Sequence, residues 1–213
     1  MSQRNLFITG IGTDVGKTIV SAIVAEALGA DYWKPVQAGY ENGTDSQWVR
    51  SVISEQLTIY PETYKLKLPA SPHIAARDEN LKIDLEKIKA QYLQISSSGR
   101  ALVIEGAGGL MVPLNEKEKV IDLIRTLNVR VIIVSRNYLG SINHSLLTAS
   151  VLRSQNVPVA GFIFNDDYMS YEHEIAEWSG YTSLGSIPHT AEVNRNFVLE
   201  QAEKIRPQLL SSI

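Results

Sequence analysis

A glycine-rich stretch near the start of the chain places the tightest constraint on the fold. It reads Thr9-Gly10-Ile11-Gly12-Thr13-Asp14-Val15-Gly16-Lys17-Thr18, follows the apolar run Leu6-Phe7-Ile8 and leads into a further apolar run over residues 19–28. The order of strand, glycine-rich turn and helix is typical of a phosphate-binding loop, in which backbone N–H groups and a helix N-terminus converge on an anion. The stretch therefore predicts a nucleotide site, with Lys17 at the terminal phosphates and the Thr18 hydroxyl on Mg²⁺.

The spacing of the loop departs from the usual pattern. Four residues commonly separate the two glycines, whereas five residues separate Gly10 from Gly16, and Ile11 stands where the first glycine belongs. The alternative interpretation is an ordinary strand-to-helix turn that contains Gly-Lys-Thr. The order of the flanking elements favours the nucleotide site.

Composition limits the class of protein. A chain of 213 residues with 44% hydrophobic content predicts a single domain over residues 1–213 with a full core. Its net charge of −3 gives no reason to bind nucleic acid or an anionic membrane, and its aromatic residues do not interleave with basic ones. The absence of cysteine excludes disulfides, thiolate metal sites and cysteine nucleophiles.

Targeting signals are not evident in the sequence. The first residues, Met1-Ser2-Gln3-Arg4-Asn5, run straight into the first predicted strand, so we expect no signal peptide. No apolar run approaches the roughly 18 residues of a membrane helix. These features predict a soluble, cytoplasmic protein.

Strands and helices alternate along the chain. Apolar runs predict strands near residues 6–8, 30–36, 101–104, 130–135, 158–164 and 184–187, and helical spacing predicts helices over residues 46–56, 84–97, 120–127, 140–156, 171–179 and 191–210. Residues 58–72 look irregular because Pro61, Pro69 and Pro72 interrupt them, and this middle section is too short to be a separate domain. The pattern predicts an α/β fold with a mostly parallel central sheet covered by helices on both faces.

Three charged residues stand near predicted strand ends or helix starts, where parallel sheets bind ligands. Lys34 alone is typical of a solvated charge at a strand end. Asp45 is equally suited to capping a helix and to binding a metal. Glu105 is a sharper candidate for Mg²⁺, because it ends an apolar strand and is followed by three glycines within four residues. The four histidines show none of the short spacings of a zinc site.

Several segments together resemble the dethiobiotin synthetase family. They are Gly-Ile-Gly-Thr-Asp-Val-Gly-Lys-Thr at 10–18, Tyr-Trp-Lys-Pro-Val-Gln-Ala-Gly at 32–39, Ser-Pro-His at 71–73, Ile-Glu-Gly-Ala-Gly-Gly at 104–109, Leu-Gly-Ser-Ile-Asn-His at 139–144, and Asn165-Asp166. The resemblance spans nearly the whole chain, and the five-residue loop spacing is that family's pattern. Ala38 departs from it, because the family often carries a hydroxyl there that contacts substrate.

The resemblance implies a fold, an activity and a set of site residues. The fold is the three-layer phosphate-loop NTPase fold. The activity is an ATP-dependent ligase that closes the ureido ring of dethiobiotin from 7,8-diaminononanoate and CO₂ in biotin biosynthesis. The implied nucleotide-binding residues are Asp14, Val15, Gly16, Lys17, Thr18, Ile19, Asp45, Glu105, Gly106, Ala107, Gly108, Asn165, Asp166, Pro188, His189 and Thr190, with Asn165 reading the base.

Further roles are implied by the same resemblance. Mg²⁺ is held by Thr18, Asp45 and Glu105, and catalysis rests on Lys34, Lys17 and Thr13. The implied substrate-binding residues are Thr13, Lys34, Ala38, Gly140, Ser141, Ile142 and Asn143. The segment at 140–143 reaches the carboxylate tail of the substrate from the partner subunit of a homodimer, although by sequence alone it is only a helix start with Ser141 as the N-cap.

Two other functions remain as alternatives. A related ATP-dependent amide ligase shares the loop and the sheet, but such proteins usually carry a glutaminase domain with a nucleophilic cysteine, and this chain has neither. A nucleotide-switch ATPase of the partitioning type predicts a second lysine early in the loop and a membrane or DNA surface, and neither is evident. Hydrolysis of ATP with and without the diamine separates a switch ATPase from a ligase.

Overall fold

The computed structural model describes residues 5–213. The strands are β1 Leu6–Gly10, β2 Asp31–Trp33, β3 Val36–Ala38, β4 Ile59–Tyr60, β5 Tyr64–Leu66, β6 Leu102–Gly109, β7 Arg130–Arg136, β8 Val159–Asn165 and β9 Ser183–Ile187. The helices are α1 Lys17–Leu28, α2 Asp45–Val52, α3 Pro72–Asp78, α4 Leu85–Ser96, α5 Val120–Leu127, α6 Ser141–Ser154, α7 Glu172–Ser179 and α8 Arg195–Ser212. The expectation that no signal peptide is present rests largely on residues 1–4, which lie outside the described residues.

Seven strands form one sheet in the order β4-β2-β6-β1-β7-β8-β9. Every pairing in it is parallel, with Ile8 opposite both Glu105 of β6 and Ile132 of β7. The predicted α/β fold with a parallel central sheet is therefore confirmed. That residues 1–213 form one domain stays a prediction, which this single sheet supports.

The sheet is covered on both faces, as the apolar strands predict. Successive residues of β7 show this, because Ile132 belongs to a buried cluster with residues of α1, α2 and α8, whereas Ile133 belongs to another with residues of α3, α4, α5, α6 and α7. Both side chains are 0% exposed. A strand buried on two faces leaves the polar ends of the sheet as the places where a ligand can bind.

The strand predicted within residues 30–36, with its end at Pro35, is found as β2, but a further strand that was not predicted, β3, follows directly after Pro35. Proline has no N–H to donate, and its carbonyl instead accepts hydrogen bonds from Thr63 N (2.9 Å) and Tyr64 N (3.0 Å). The strand β3 then pairs with β5 in a separate two-stranded sheet. This break directs the residues after β2 away from the main sheet.

The expectation of an irregular segment over residues 58–72 is wrong. It contains β4 and β5, and α3 begins at its last residue, Pro72. These elements have two, three and seven residues, too few for a pattern to be visible. Proline is well suited to the first helical turn, where an N–H would have no partner.

Other bounds shift by a few residues. The helix α2 ends at Val52 because Ile53 is extended, and α8 begins only after Asn194, whose side chain accepts a hydrogen bond from Phe197 N. The strand β6 continues through Gly109 because it keeps pairing with β1 as far as Gly10. Glu105 therefore lies within β6 and not at its end.

Membrane helices are not found among the described residues. Within residues 5–213, none of the helices combines the length and the apolar composition that crossing a bilayer requires.

Two substitutions test whether both faces of the sheet are covered. We expect Ile132→Ala and Ile133→Ala each to lower the free energy of unfolding by about 2–5 kcal/mol, because each removes buried methyl groups and leaves a cavity. Unfolding by urea, followed by circular dichroism, measures both losses. The control is Leu147→Ala on α6, where the leucine is 56% exposed. A loss at only one of the two isoleucines would contradict a doubly covered sheet.

Candidate active site

The loop between β1 and α1 has the geometry of an anion site. Asp14 and Gly16 have positive φ angles of 55° and 89°, and α1 starts at Lys17 directly after Gly16. A side chain at Gly16 would be strained at this φ and its Cβ would displace the Asn165 amide, so glycine suits the position. Gly16 provides no side-chain cap and the first turn of α1 has no acidic residue. The first N–H groups of α1 are thus available to an anion.

Lys17 lies within this loop and is largely buried. Its Nζ donates a hydrogen bond to Gly12 O at 3.0 Å. Burial lowers its pKa, and the nearby ammonium of Lys34 lowers it further, against the opposing effect of Glu105. A buried ammonium whose main partner is one carbonyl is well placed to gain from phosphate oxygens.

Glu105 is the centre of a buried cluster, with 1% of its surface exposed. Its Oε1 accepts hydrogen bonds from Thr18 Oγ1 and from Lys34 Nζ, both at 2.9 Å. Its Oε2 accepts a hydrogen bond from the Tyr32 hydroxyl at 2.8 Å. Burial, and then the charge of Glu105, raise the pKa of Tyr32 well above its usual value. Tyr32 therefore remains a donor and fixes the carboxylate in place.

Lys34 joins Glu105 to a second carboxylate, because its Nζ also donates a hydrogen bond to Asp45 Oδ2. Only 6% of Lys34 is exposed, so the interpretation of a solvated charge at a strand end is wrong. Burial acts to lower its pKa, but the charges of Glu105 and Asp45 outweigh burial and hold the pKa above its ordinary value. Lys34 is a cation held in place from two sides.

The capping interpretation of Asp45 is wrong, because Thr44 is the N-cap of α2. The Thr44 side chain accepts a hydrogen bond from Gln47 N, and the Gln47 side chain accepts one from Thr44 N. This reciprocal pair is a capping box. The carboxylate of Asp45 is thereby left free to bind Lys34.

The predicted residues around the loop line one cavity of about 760 Å³. The loop and α1 contribute Thr13, Asp14, Gly16, Lys17, Thr18 and Ile19. Other parts of the chain contribute Lys34, Ala38, Asp45, Glu105, Ala107 and Gly108. Val15 and Gly106 belong to the predicted set but are buried behind the lining, Val15 at 2% exposure and Gly106 against the ring of Phe7.

Several residues of the site were missed by sequence reasoning. Tyr32 lies behind Glu105, and Gln37 lines the cavity while its Oε1 accepts a hydrogen bond from Asp45 N at 3.2 Å. Ser71 and Pro72 form another part of the wall. The Ser-Pro-His motif was a signal for the last two, whereas nothing local indicates which face of β2 carries a functional tyrosine.

A second cavity of about 230 Å³ adjoins the first one at Asp14, Gly16 and Ile19. The predicted Asn165, Asp166, Pro188, His189 and Thr190 line it. Sequence reasoning missed the other residues of its lining, Arg136, Ile187, Val193 and Phe197. It is thus a partly apolar pocket next to the loop.

The polar groups of this second cavity are fixed by hydrogen bonds. Asn165 Nδ2 donates to Val15 O at 3.1 Å, which leaves the Asn165 Oδ1 as an acceptor. Asp166 accepts a hydrogen bond from Asp167 N at 2.9 Å and pairs with Arg136 at 3.1 Å. The Asp167 N–H and the Arg136 guanidinium lower the pKa of Asp166.

The predicted substrate segment at 140–143 lies outside both cavities of the same chain. Gly140 is the N-cap of α6, with φ 105°, so the prediction of Ser141 as the N-cap is wrong. The Ser141 hydroxyl instead lies 2.7 Å from the Tyr171 hydroxyl, which donates to Tyr138 O at 2.8 Å. Gly140 and Asn143 are exposed.

The oxygen atoms of Thr18, Asp45 and Glu105 fit a hard cation. Lys34 binds both carboxylates, and Thr18 binds the Glu105 carboxylate, so the three side chains converge at the loop. Within residues 5–213 no group of three or more histidine, aspartate or glutamate side chains is close enough to hold a metal. Mg²⁺ suits such a sparse set, because it keeps several waters and takes oxygens from phosphate.

Comparisons with solved structures agree with this fold. A ParA family ATPase from Chlorobium tepidum superimposes with a TM-score of 0.60 and 14% identity, over 98% of this chain and 96% of that one. The MinD cell division protein of Aquifex aeolicus superimposes with a TM-score of 0.58 and 15% identity, over 98% of this chain and 96% of its own. At such low identity the likeness shows the fold alone, which is that of phosphate-loop ATPases.

Comparisons of sequence identify the family. Residues 4–196 match a family model described as an AAA domain. The ATP-dependent dethiobiotin synthetase BioD of Christiangramia forsetii is 45% identical over 97% of this chain and 98% of its own. The enzyme of the same name from Cytophaga hutchinsonii is 45% identical over 95% of this chain and 97% of its own. The chain therefore belongs to the ATP-dependent dethiobiotin synthetase family.

Proposed function

We propose that the protein is an ATP-dependent ligase that closes the ureido ring of dethiobiotin from 7,8-diaminononanoate and CO₂. The observation that carries this proposal is the Lys34 ammonium, buried between Glu105 and Asp45 in the cavity that the phosphate-binding loop also lines. Family membership supports the same activity. The relatives are named for it, and the similarity covers nearly the full length of both chains.

The reaction needs fixed cations more than covalent help from the protein. An amine of the substrate takes up CO₂ as a carbamate and releases a proton; the carbamate oxygen then attacks the γ-phosphate of ATP, and ADP leaves with the bridging oxygen. The second amine then attacks the resulting carbamic-phosphoric anhydride, and phosphate leaves as the ring closes. Negative charge spreads over the phosphoryl group and the carbamate, so Lys17 and Lys34 stabilise it from two strand ends. Thr13, on the same cavity, contacts the carbamate with Lys34.

The two cavities divide the ATP molecule between them. The phosphates lie on the N–H groups of the loop and of α1, and the base lies in the second cavity. Asn165 is fixed through its Nδ2 and presents Oδ1, an acceptor that suits the exocyclic amine of adenine. The apolar side chains of Ile187, Val193 and Phe197 cover the base.

We further propose Mg²⁺ as the metal of this site, held by Thr18, Asp45 and Glu105. When bound, the ion would neutralise charge on the phosphates. Lys34 donates hydrogen bonds to both carboxylates of this set. The protein itself therefore holds the metal-binding oxygens in place before any cofactor arrives.

The working unit is proposed to be a homodimer with a shared site. The substrate has a carboxylate remote from its amines, and the free N–H groups at the start of α6 can bind an anion without a cation. Residues 140–143 lie outside the cavities of their own chain, and Leu139 beside them is 88% exposed. Both features favour a contribution to the partner's site.

The alternative of a switch ATPase of the partitioning type rests on a likeness of fold at 14–15% identity. The loop at 10–18 carries the single lysine Lys17, without the second lysine which that class predicts. We propose the cytoplasm as the place of the reaction, in keeping with a biosynthetic ligase. If the protein hydrolysed ATP at the same rate with and without the diamine, the switch would be the better proposal.

Incubation of the protein with 7,8-diaminononanoate, bicarbonate, Mg²⁺ and ATP should yield dethiobiotin, detected by mass spectrometry. We expect Lys34→Ala to lower kcat/KM at least tenfold, or about 1.4 kcal/mol, because it removes the buried cation of the cavity that the loop lines. Because Lys34 is buried with two carboxylates, the variant is assayed below its melting temperature.

The matched control for Lys34→Ala is Tyr32→Phe. It removes another donor from Glu105, but Tyr32 does not line the cavity and Lys34 stays in place. We expect this control to keep more than a tenth of the activity. An active Lys34→Ala variant would refute the assigned role of Lys34.

A second substitution tests the metal-binding role of Asp45. We expect Asp45→Asn to leave the helix start intact, because Thr44 and Gln47 cap it, and to shift the Mg²⁺ dependence of activity to higher concentration. Activity is titrated with Mg²⁺ and the melting temperature is measured in parallel. The same Mg²⁺ midpoint in both proteins would remove Asp45 from the metal site.

Mixed dimers test the shared site. Lys34→Ala and Gly140→Trp should each be inactive, one through its own cavity and the other through its partner's. After subunit exchange, the mixture should regain activity, because a mixed dimer holds one site with both intact halves. Exchange is verified by mass spectrometry of differently tagged subunits. A mixture that exchanges but remains inactive, or an active monomer in sedimentation, would contradict the shared site.

A further inference from the structure

We propose that Ser71 and His73 form a proton relay that serves the ring-closing amine. The proposal rests on the function given above and concerns its last step. Ser71 lines the large cavity together with Lys34 and Ala38. The Ser71 Oγ lies 3.0 Å from His73 Nδ1. The pair thus connects the cavity to an imidazole ring just behind its wall.

The hydroxyl of Ser71 is not used for the structural purpose that its position suggests. Ser71 is the N-cap residue of α3, where serine commonly binds a backbone N–H of the first turn. Here its side chain makes no such capping bond and turns to His73 instead. The helix α3 therefore lacks the stabilisation of a side-chain cap, and Ser71 contacts the His73 side chain instead.

The wall that carries Ser71 is rigid and closely packed. Gly39 has φ 77°, and a Cβ there would lie 2.7 Å from Pro69 Cβ, so the two segments touch through their backbones. Pro72 is buried, and His73 N donates a hydrogen bond to Pro113 O at 3.3 Å. Ser71 therefore lies on a wall whose backbone is packed against neighbouring segments.

The chemistry of ring closure releases a proton that needs an acceptor. The second amine forms a bond to the carbonyl carbon of the anhydride, and phosphate leaves with the electron pair of the broken C–O bond. The nitrogen then carries one proton too many. Its proton passes to Ser71 Oγ, while the hydroxyl proton of Ser71 passes to His73 Nδ1, and the imidazolium releases a proton to water.

Two other polar side chains of the cavity, Lys34 and Gln37, already have hydrogen-bond partners. Lys34 binds Glu105 and Asp45. Gln37 bonds to Gly39 O and to Asp45 N. A serine hydroxyl that donates to imidazole keeps its lone pairs for a substrate N–H. Imidazole is the side chain that most readily exchanges a proton near neutral pH.

Position 38 adds a reason for a hydroxyl at residue 71. Ala38 has no polar group, yet it lines the same cavity as Ser71. On the wall that residues 36–38 and 69–72 form, the side-chain hydroxyl belongs to Ser71. Ser71 is thus the residue of this wall that can offer a hydroxyl to an amine.

The experiment measures dethiobiotin and ADP together, at saturating ATP, bicarbonate and 7,8-diaminononanoate. We expect Ser71→Ala to lower the rate of dethiobiotin formation about a hundredfold, within the range of general acid–base catalysis. Phosphoryl transfer should continue, as ADP formed without product or as scrambling of an isotopic label from the bridging oxygen of ATP. Lys34→Ala, in contrast, should lose both activities.

Conservative variants separate the relay from a structural role. Ser71→Thr keeps the hydroxyl and should restore most of the rate. His73→Asn keeps a hydrogen-bond acceptor near Ser71 but cannot take the proton, and should be as slow as His73→Ala. Ser211→Ala and His173→Asn, at exposed positions on α8 and α7, serve as controls and should match the unchanged protein. Melting temperatures of all variants are compared.

Each result has a definite meaning. An unchanged rate of dethiobiotin formation in Ser71→Ala would overturn the relay. The departing phosphate would then be the acceptor of the amine proton. If His73→Asn formed dethiobiotin at the full rate, the proposed role of His73 as proton acceptor would be overturned. If Ser71→Ala lost phosphoryl transfer together with ring closure, that result would also overturn the relay. If the unchanged protein makes no dethiobiotin, the proposed function fails first, and the relay fails with it.

Discussion

The site depends on keeping one ammonium ion out of water. Lys34 is almost fully buried, and an ion in that environment costs several kcal/mol unless opposite charges and hydrogen bonds compensate it. The compensation comes from Glu105 on β6 and Asp45 on α2, while Lys34 itself follows β2. Three separate parts of the chain must therefore meet at one point. The break at Pro35 and the capping box at Thr44 bring two of them there.

The same carboxylate also links this cation to the phosphate-binding loop. Glu105 accepts hydrogen bonds from Lys34 and from Thr18, which follows Lys17 at the start of α1. The two lysines are thus held at a fixed separation by a side chain that Tyr32 orients from behind. Charges fixed before the reaction need no reorganisation when a phosphoryl group is transferred, and this is the main way in which proteins stabilise such a transition state.

Much of the fold could be predicted from the sequence, because parallel strands buried on both faces are continuous apolar runs and their helices have regular spacing. The loop at 10–18 and Glu105 could also be predicted, because each adjoins an apolar strand and contains or precedes a cluster of glycines. The burial of Lys34 could not be predicted, since its partner Glu105 is 71 residues away. From the sequence, Asp45 was equally suited to capping a helix and to binding a metal, and only the structure shows that Thr44 is the N-cap. The strands β4 and β5 exist only through pairing with β2 and β3, which no local pattern encodes.

The least regular part of the sequence forms a wall of the large cavity. Residues 69–72 carry two prolines between short elements, and they pack on Gly39 so closely that no side chain fits between them. Local rules of secondary structure fail most often where a chain is constrained by its function. In this segment Ser71 stands at the N-cap of α3 but makes no capping hydrogen bond, and its hydroxyl contacts His73 instead. A wall built from prolines and a hydroxyl bound to a neighbouring side chain positions its groups without a long helix or strand, and it lines the same cavity as the phosphate-binding loop.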